Sequence, residues 1–406
     1  MNKRRELLKK MSAIPILGGL ASSFAFSVPG QTMAPSVVKG SRDLFKELGI
    51  RTFINAAGTY TSMTGSLMTE EVTNTIAAGA MDFVNLDELQ DKVGERIAEM
   101  LQCEYATVTS GAFSAMSIGL AGVISGKDEA KVKQLPDLTG LKNEVIIQKS
   151  HNIVYTHSLV NVGVKLVEIE TAKELEKAIN KNTAMLWFLN ANTDQGKIKW
   201  EEWVAIGKKH GIPTFIDCAA DVPPVENLWK FTKMGFDLVC FSGGKGIRGP
   251  QSAGLLLGKR EYIEAARMHT PPRGHTIGRG MKVNKEEVLG MLMALEMYLN
   301  KDHKAEWKMW EEQIEQIRAA AASVNGVTAE VYVPAHANVV PSLRVSWDES
   351  KLGITPDQVK EQLRNGHPSI ETAGGGKSIG ITTWMLKPGQ EWIVAKRLKE
   401  ELSKKS

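Results

Sequence analysis

Strongly apolar segments alternate with amphipathic ones through the middle of the chain. Six of the apolar segments are short and rich in β-branched or large side chains, which is typical of strands buried on both faces. They cover residues 144–148, 164–169, 184–189, 213–217, 237–241 and 253–257. Helical patterns lie between several of them, at 171–180, 199–210 and 225–234. The alternation predicts an α/β fold with a large, mostly parallel sheet that helices cover on both faces.

A different pattern follows this region. Residues 284–324 have apolar side chains at steps of three and four, as one face of a long helix requires. That face consists of Trp307, Trp310, Ile314 and Ile317. Beyond it, residues 327–345 and 378–402 predict a smaller C-terminal α+β domain that ends in a helix.

The first 27 residues have the composition of an export signal. A basic start that includes Arg4 and Arg5 precedes an apolar stretch over residues 14–26 and a small-x-small cleavage site at residues 25–27. The arginine pair is followed by Glu-Leu-Leu-Lys and resembles a twin-arginine signal. We therefore expect an exported, periplasmic protein; the alternative is an amphipathic N-terminal helix of the mature chain.

These patterns predict the organisation of the whole chain. After the signal at 1–27, we expect an N-terminal arm over 28–67 and a large domain over 68–290. The long helix and the small C-terminal domain then occupy 291–406.

Composition and charge exclude several functional classes. The 406 residues carry a formal net charge of +4, and residues 1–27 alone hold five basic residues and one acid, so the rest is near neutral. A near-neutral body argues against a nucleic acid partner. Beyond the signal, no stretch of about 20 apolar residues offers a stable membrane span. Cys103, Cys218 and Cys240 are too widely spaced for a disulfide framework or a cysteine metal site, and no metal is expected.

The clearest chemical feature is a glycine-rich loop, Ser242–Gln251, directly after a predicted buried strand. Lys245 lies in this loop, at the edge of the sheet where parallel strands present ligands. A partly desolvated lysine has a lowered pKa and can act as a nucleophilic amine. The alternative is an exposed loop lysine with no chemical role.

Three further features lie near the ends of predicted elements. Asp217 ends the strand before that of Lys245, so the two side chains can share one crevice. Ser110, Gly111 and Ala112 begin an apolar helix, whose N-terminus can hold a phosphate; the alternative is a plain serine N-cap. His151 follows another strand and can contact the face of a ring, or it is a satisfied core histidine.

Together, these residue types match the requirements of one cofactor. Pyridoxal 5'-phosphate (PLP) needs an anion site for its phosphate, a carboxylate that keeps its pyridine nitrogen protonated and a lysine for covalent attachment. The released lysine can then move the Cα proton of a substrate as a general base or acid.

The chain resembles the fold-type I PLP-dependent enzymes, and specifically the bacterial selenocysteine synthase (L-seryl-tRNA selenium transferase) group. Within that group it most resembles the D-glucosaminate-6-phosphate ammonia-lyase-like proteins. The matching stretches are 54–68 (INAAGTYTSMTGSLM), 84–112, 215–224 (FIDCAADVPP), 241–258 (FSGGKGIRGPQSAGLLLG) and 277–299. Looser matches cover 363–370 and 386–398, so the resemblance spans nearly the whole mature chain.

The resemblance implies a role for each candidate residue. Lys245 is implied as the cofactor lysine, Asp217 as the partner of the pyridine nitrogen, and His151 as a contact of the ring. The residues implied around the phosphate are Ser110, Gly111, Ala112 and Ser242. Arg279 and Lys282 are implied as a pair that binds a substrate anion, with Asn55 a further candidate for substrate contact. Because fold-type I sites lie at subunit interfaces, the resemblance also implies a homodimer or a larger homo-oligomer.

The expected activity is a reaction at Cα and Cβ of a small amino acid or amino sugar acid. Elimination of the ammonia-lyase type is the first expectation, because it is the activity that the resemblance implies. Racemisation and β-replacement need the same Lys245 and Asp217 and stay open, as does a non-catalytic binding protein with this fold. Transfer RNA is not expected as a substrate, because the synthases carry basic residues where this chain has the acidic stretch 85–96.

Overall fold

Two β-sheets organise residues 42–404, the part of the chain that the computed structural model describes. The predicted signal at 1–27 lies outside this part. The strands are β1 (Ile54–Ala56), β2 (Tyr105–Thr109), β3 (Glu144–Gln148), β4 (Lys165–Ile169), β5 (Thr183–Leu189), β6 (Thr214–Asp217), β7 (Leu238–Ser242), β8 (Gly254–Gly258), β9 (Val327–Tyr332), β10 (Ser342–Trp347), β11 (Ile370–Gly375) and β12 (Ser378–Thr382).

The α-helices of this part are distributed over both sheets. They are α1 (Leu44–Glu47), α2 (Glu70–Gly79), α3 (Leu86–Leu101), α4 (Gly111–Ser125), α5 (Glu129–Gln134), α6 (His157–Val160), α7 (Ala172–Ala178), α8 (Trp200–His210), α9 (Asn227–Met234), α10 (Arg260–Arg267), α11 (Lys285–Leu299), α12 (His303–Ala322), α13 (Glu349–Leu352), α14 (Pro356–Asn365) and α15 (Gln390–Ser403). None of these helices is long and apolar enough to cross a bilayer.

The larger sheet has seven strands in the order β2-β8-β7-β6-β5-β3-β4. All six predicted strands are present in it within one residue of their predicted ends, which confirms the predicted α/β fold. Neighbouring strands from β7 to β4 are parallel, whereas β8 runs antiparallel to both β7 and β2. The sheet is therefore mixed, because residues 243–253 return from β7 to β8 without the crossover helix that a parallel neighbour needs.

Helices cover both faces of this sheet and bury two separate apolar clusters. One cluster includes Phe188, Trp203 and Phe231, and the other includes Trp187 and Phe215. Consecutive residues of β5 contribute to opposite clusters, because side chains alternate across a strand. This alternation explains why β5 is apolar at nearly every position.

The smaller sheet has five strands in the order β1-β11-β12-β10-β9. Its outer strand β1 comes from the predicted N-terminal arm and pairs in parallel with β11. The arm therefore crosses to the small sheet and buries Ile54 in the same cluster as Ile314 and Ile317.

The predicted long helix over 284–324 is wrong as a single element. The structure has two helices there, α11 and α12, separated by residues 300–302. Asp302 begins the second helix, since its carboxylate accepts hydrogen bonds from the backbone N–H groups of Lys304 (3.1 Å) and Ala305 (2.9 Å). The predicted apolar face is confirmed at Trp310, Ile314 and Ile317, which are all buried.

Candidate active site

The candidate site lies at the edge of the large sheet where its parallel strands end. Thr109 at the end of β2 and Ser242 at the end of β7 both pair with Gly254 of β8. Asp217 ends β6 and pairs with Cys240 of β7. The strand register therefore brings the α4 N-terminus, Asp217 and the loop that holds Lys245 to one edge, where open α/β sheets bind ligands.

Lys245 lies partly buried in the loop after β7, next to two carboxylates. Burial lowers the pKa of its amine from 10.5, while the charges of Asp217 and Asp221 act in the opposite direction. The net shift is downward, so a larger fraction of the amine is neutral and nucleophilic than for a solvated lysine. The partial burial of Lys245 and the lowered pKa of its amine agree with the prediction of a partly desolvated lysine at this edge.

Asp217 is an almost completely buried carboxylate, with 3% of its surface exposed. Its Oδ1 accepts a hydrogen bond from the Ala219 N–H (2.9 Å) and lies 3.6 Å from Cys240 Sγ. Burial raises the pKa of this carboxyl group, and the charge of Lys245 acts in the opposite direction. A buried carboxylate of this kind is stabilised by a cationic group placed beside it.

The N-terminus of α4 has the features of an anion site rather than of a capped helix. Ser110 stands at the N-cap position, but its hydroxyl makes no cap hydrogen bond and lies 3.1 Å from Ser114 Oγ instead. Gly111 has a φ of +88°, a conformation that favours glycine. The first N–H groups of the helix thus lack a side-chain acceptor and can receive a phosphate, together with the helix dipole.

Gly254 provides the space in which this N-terminus lies. A Cβ at position 254 would approach Gly111 C to 2.7 Å and Ala112 N to 2.8 Å. We therefore expect Gly254→Ala to displace the first turn of α4 and to weaken PLP binding at least about tenfold, the loss of one good hydrogen bond. Equilibrium dialysis with PLP measures this, and Gly274→Ala is the control because nothing lies within 4 Å of its Cβ. Equal affinities in both variants would contradict the assignment.

Asp221 is a buried carboxylate of this region that the sequence interpretation did not identify. Its Oδ1 accepts a hydrogen bond from the Ala337 N–H (3.0 Å), and the adjacent Ala220 carbonyl accepts one from the Asn338 N–H (2.6 Å). Both donors belong to the loop between β9 and β10, so this contact joins the two sheets beside Lys245. A second acid four residues after Asp217 in FIDCAADVPP was the available signal.

Burial raises the pKa of Asp221 from an ordinary value of 3.8 to about 6. Between these two values the folded state holds a proton that the unfolded state has lost. This group therefore lowers the free energy of unfolding as pH rises through the window, by about 3 kcal/mol in total. Asp221→Asn keeps an acceptor for Ala337 and removes the titration, so we expect the variant to gain stability relative to wild type between pH 4 and pH 7.

Urea unfolding of both cofactor-free proteins at pH 4 and pH 7 measures this gain. Burial lowers the pKa of His151 and of His269 to about 4, and these groups change the unfolding free energy with the opposite sign. Because they act equally in both proteins, the difference between variant and wild type isolates Asp221. A difference that does not change with pH would contradict the assignment.

His151 has the contacts of a core residue. It is 0% exposed, its ring packs edge-on against Phe188 (centroids 4.5 Å apart), and its Nδ1 accepts a hydrogen bond from the Leu189 N–H (3.1 Å). It is not among the residues that line the cavity at Lys245. Asp217 is not among those lining residues either, so the lining does not decide the role of His151, and a contact with the cofactor ring stays a prediction.

A cavity of about 370 Å³ opens beside Lys245, between the two sheets. Tyr155 lines it and belongs to the same segment as His151, so it is the aromatic side chain that this segment directs to the cavity. Tyr60 and Tyr332 line it as well. The sequence interpretation missed all three, because they come from segments far apart along the chain.

Three residues predicted to contact substrate lie outside this cavity. The Asn55 side chain accepts hydrogen bonds from the Ala57 and Gly58 N–H groups (both 3.0 Å) and donates to the Gly58 carbonyl (2.9 Å), so it shapes the turn after β1. Arg279 and Lys282 are exposed and do not line the cavity. Their role in binding a substrate anion stays a prediction.

Carboxylates of the acidic stretch 85–96 form ion pairs with arginine side chains. Asp87 accepts from Arg267 (3.0 Å) and from Arg273 (3.1 Å), and Asp91 also pairs with Arg267. Arg267 is largely buried, so these carboxylates compensate a buried charge.

The chain matches known proteins over most of its length. Residues 53–353 match the family model described as SelA, L-seryl-tRNA selenium transferase. A D-glucosaminate-6-phosphate ammonia lyase of Salmonella typhimurium is 29% identical over 339 residues, which cover 81% of this chain and 88% of that protein. A 5'-C-glycyluridine monooxygenase-decarboxylase of Streptomyces is 26% identical over 374 residues, or 88% and 92% of the two chains.

A solved structure has the same architecture. The structure of a D-glucosaminate-6-phosphate ammonia-lyase superposes with a TM-score of 0.78 at 26% identity, over 89% of this chain and 99% of that one. The predicted fold class, a large α/β sheet domain with a smaller C-terminal α+β domain as in fold-type I enzymes, is thereby confirmed.

Proposed function

Because the chain belongs to the SelA (L-seryl-tRNA selenium transferase) family, we propose that it is a PLP-dependent lyase that releases ammonia from a small amino acid or amino sugar acid. The observation that carries this proposal is that Lys245, which lines the cavity at the strand ends, interacts electrostatically with the buried carboxylate of Asp217.

The residues at this edge fit PLP. The uncapped N-terminus of α4, with Ser110, Gly111 and Ala112, supplies donors for a phosphate, and Ser242 ends the neighbouring strand. Asp217 supplies the negative charge for a protonated pyridine nitrogen, and Lys245 supplies the amine for attachment. When bound, the cofactor supplies an electron-withdrawing ring that acidifies the Cα–H bond of an attached amino acid.

Proton transfer and substrate binding would be carried out by side chains of this chain. Lys245 Nζ, once free, is the base that takes the Cα proton and the acid that then protonates the departing β-substituent. Asp217 would hold the proton on the ring nitrogen, because a buried carboxylate is stabilised by a cationic group placed beside it. The cavity between the sheets would hold the rest of the substrate.

Similarity to the Salmonella ammonia lyase over most of both chains supports elimination as the reaction. Racemisation and β-replacement use the same two residues, so the products decide between them. A β-elimination removes the Cα proton and the β-substituent, and hydrolysis of the resulting enamine yields a keto acid and ammonia.

The experiment loads the purified protein with PLP and treats it with borohydride. We expect a visible absorption band that borohydride removes, and a peptide containing Lys245 that gains the mass of the reduced cofactor. Candidate amino acids are then incubated in deuterated water. Release of keto acid and ammonia supports the lyase, whereas Cα deuteration without release identifies a racemase, and absence of the absorption band excludes a PLP enzyme.

We further infer a homodimer. Met81, Phe83 and Val84 between α2 and α3 are exposed, and so are Val154 and Tyr155 beside the cavity; clustered apolar side chains of this size commonly mark interfaces. We expect light scattering to give twice the mass of one chain for wild type, and a monomer for Phe83→Asp. Trp392→Asp, which changes an exposed side chain of α15, should stay dimeric, and a monomeric wild type would contradict the inference.

We also propose that residues 1–27 direct export by the twin-arginine route. Replacement of Arg4 and Arg5 by lysine keeps the charge and removes the motif. We expect the wild-type protein in the periplasmic fraction of a bacterial host and the variant in the cytoplasmic fraction, and equal distribution would contradict the proposal.

A further inference from the structure

The loop between β9 and β10, residues 333–341, brings the small sheet to the cavity at Lys245. Pro334, Ala337 and Asn338 of this loop line the cavity together with Lys245 itself. The loop therefore forms part of the wall that a substrate at Lys245 would face, although it belongs to the other sheet. Contacts that fix the loop to the large sheet also fix this part of the wall.

A left-handed turn within this loop makes the contact with the large sheet. Ala337 has a φ of +54° and Asn338 a φ of +49°. This conformation is unfavourable for residues with a side chain, so two such residues in succession persist where surrounding contacts hold them. The Ala337 N–H donates to Asp221 Oδ1 (3.0 Å). The Asn338 N–H donates to the Ala220 carbonyl (2.6 Å).

Asp221 itself is fixed within the large domain. It is 2% exposed, its N–H donates to the Cys218 carbonyl (3.1 Å), and its own carbonyl accepts from Asn227 Nδ2 (2.8 Å). The next residue packs against the glycine-rich loop, because a Cβ at Gly246 would approach the Val222 carbonyl oxygen to 2.1 Å. One short segment thus contacts both the β9–β10 loop and the loop that holds the candidate lysine.

We propose that Asp221 is a positioning residue: its carboxylate holds the turn at Ala337 and Asn338 against the large sheet and thereby sets the part of the cavity wall that the small sheet contributes. This inference rests on the proposed function, because it concerns a wall that a substrate reacting at Lys245 would meet. The alternative is an action of Asp221 through its charge alone, which favours the protonated amine of Lys245. The direct hydrogen bond to the loop supports the positioning role.

Two replacements of Asp221 separate these roles. Asp221→Asn removes the charge and keeps an oxygen that can accept from the Ala337 N–H, whereas Asp221→Ala removes both. An effect through charge therefore appears in both variants. An effect through the hydrogen bond appears only in Asp221→Ala.

Hydrogen–deuterium exchange of the full-length protein, with and without PLP, measures how firmly the loop is held. Because a hydrogen bond to a carboxylate is lost, we expect peptides from residues 333–341 to exchange at least about tenfold faster in Asp221→Ala and at the wild-type rate in Asp221→Asn. The matched control is Asp194→Ala. Asp194 contacts His336 of the same loop (3.1 Å) but is largely exposed, so we expect a change of less than about fivefold. Wild-type exchange in Asp221→Ala would overturn the inference.

A second pair of variants tests the turn from the loop side and leaves the buried carboxylate intact. Ala337→Val introduces a β-branched side chain, which is disfavoured at positive φ, whereas Ala337→Gly adopts this conformation freely. We expect faster exchange of residues 333–341 in Ala337→Val only. If Asp221→Ala fails to fold, this pair decides, and equal exchange in the two variants would refute a loop that depends on the left-handed turn.

Ammonia release by the PLP-loaded variants tests the consequence for a substrate. The probe is D-glucosaminate 6-phosphate, the compound in the name of the Salmonella relative. If at most about a third of the molecules keep the loop in place, the apparent affinity falls at least about threefold, so we expect KM to rise by that factor in Asp221→Ala relative to Asp221→Asn. Equal KM values in the two variants would refute the positioning role. Absence of ammonia release by the wild type would count against the lyase, while the exchange rates still decide whether Asp221 holds the loop.

Discussion

Lys245→Ala should abolish covalent attachment of PLP and reduce ammonia release by at least about 10³-fold. Among residues 42–404 this side chain is the only amine that lines the cavity, so no other lining group there can both attach the cofactor and move the Cα proton. Borohydride treatment followed by peptide mass analysis measures the attachment, and an ammonia assay measures turnover. The fold should persist, because the change removes a desolvated charge and no ion pair.

Lys199→Ala is the matched control for this prediction. Lys199 is exposed, and its Nζ donates to the Thr193 and Gly196 carbonyls (both 2.7 Å), so it has a structural role. We expect this variant to lose about 1 kcal/mol of stability and to keep its cofactor. Retention of the reduced adduct in Lys245→Ala would mean that another lysine carries PLP.

Asp217→Asn should lower kcat by about 10²–10³-fold while the protein still binds PLP. The amide has the shape of the carboxylate and can keep the hydrogen bond from Ala219, but it cannot hold a proton on the pyridine nitrogen. The free energy of unfolding of the cofactor-free protein should not fall, because burial already disfavours the charged form of this group and raises its pKa. Turnover, the visible spectrum and urea unfolding together measure these effects.

Asp237→Asn is the control for the Asp217→Asn prediction. Asp237 is buried immediately before β7, the strand next to β6. Its carboxylate accepts hydrogen bonds from the Thr214 N–H (2.7 Å) and the Thr214 hydroxyl (2.9 Å) and forms a salt bridge with Lys259 (2.7 Å). We expect its replacement to reduce stability and to leave the kcat of the folded protein unchanged. If Asp217→Asn lost stability in the same way and kept full kcat, its role would be structural.

The large sheet was predictable because its central strands are buried on both faces. A strand such as β5 must be apolar throughout, and that pattern is visible without a structure. Strand β2 was not predicted, because it contains buried polar side chains. The Thr107 hydroxyl donates to Gln90 Oε1 (2.9 Å), and that partner lies 17 residues away on α3, so nothing local indicates that Thr107 is buried.

Part of the candidate site could likewise be predicted from the sequence, and part could not. Lys245 and Asp217 were predicted together because parallel strands end at one edge, a rule that needs only the order of strands and helices. The set of residues that line the cavity follows no such rule. Gly58 and Trp384 approach each other only because β1 crosses to the small sheet.

The sequence by itself determined the fold class, the family and the chemical groups, because burial periodicity and short motifs are local properties of a chain. The tertiary structure decided what surrounds those groups. It buried His151, added the carboxylate of Asp221 near Lys245, and left Arg279 and Lys282 outside the cavity. Burial and hydrogen bonding depend on residues that are distant in sequence, and substrate choice depends on burial and hydrogen bonding.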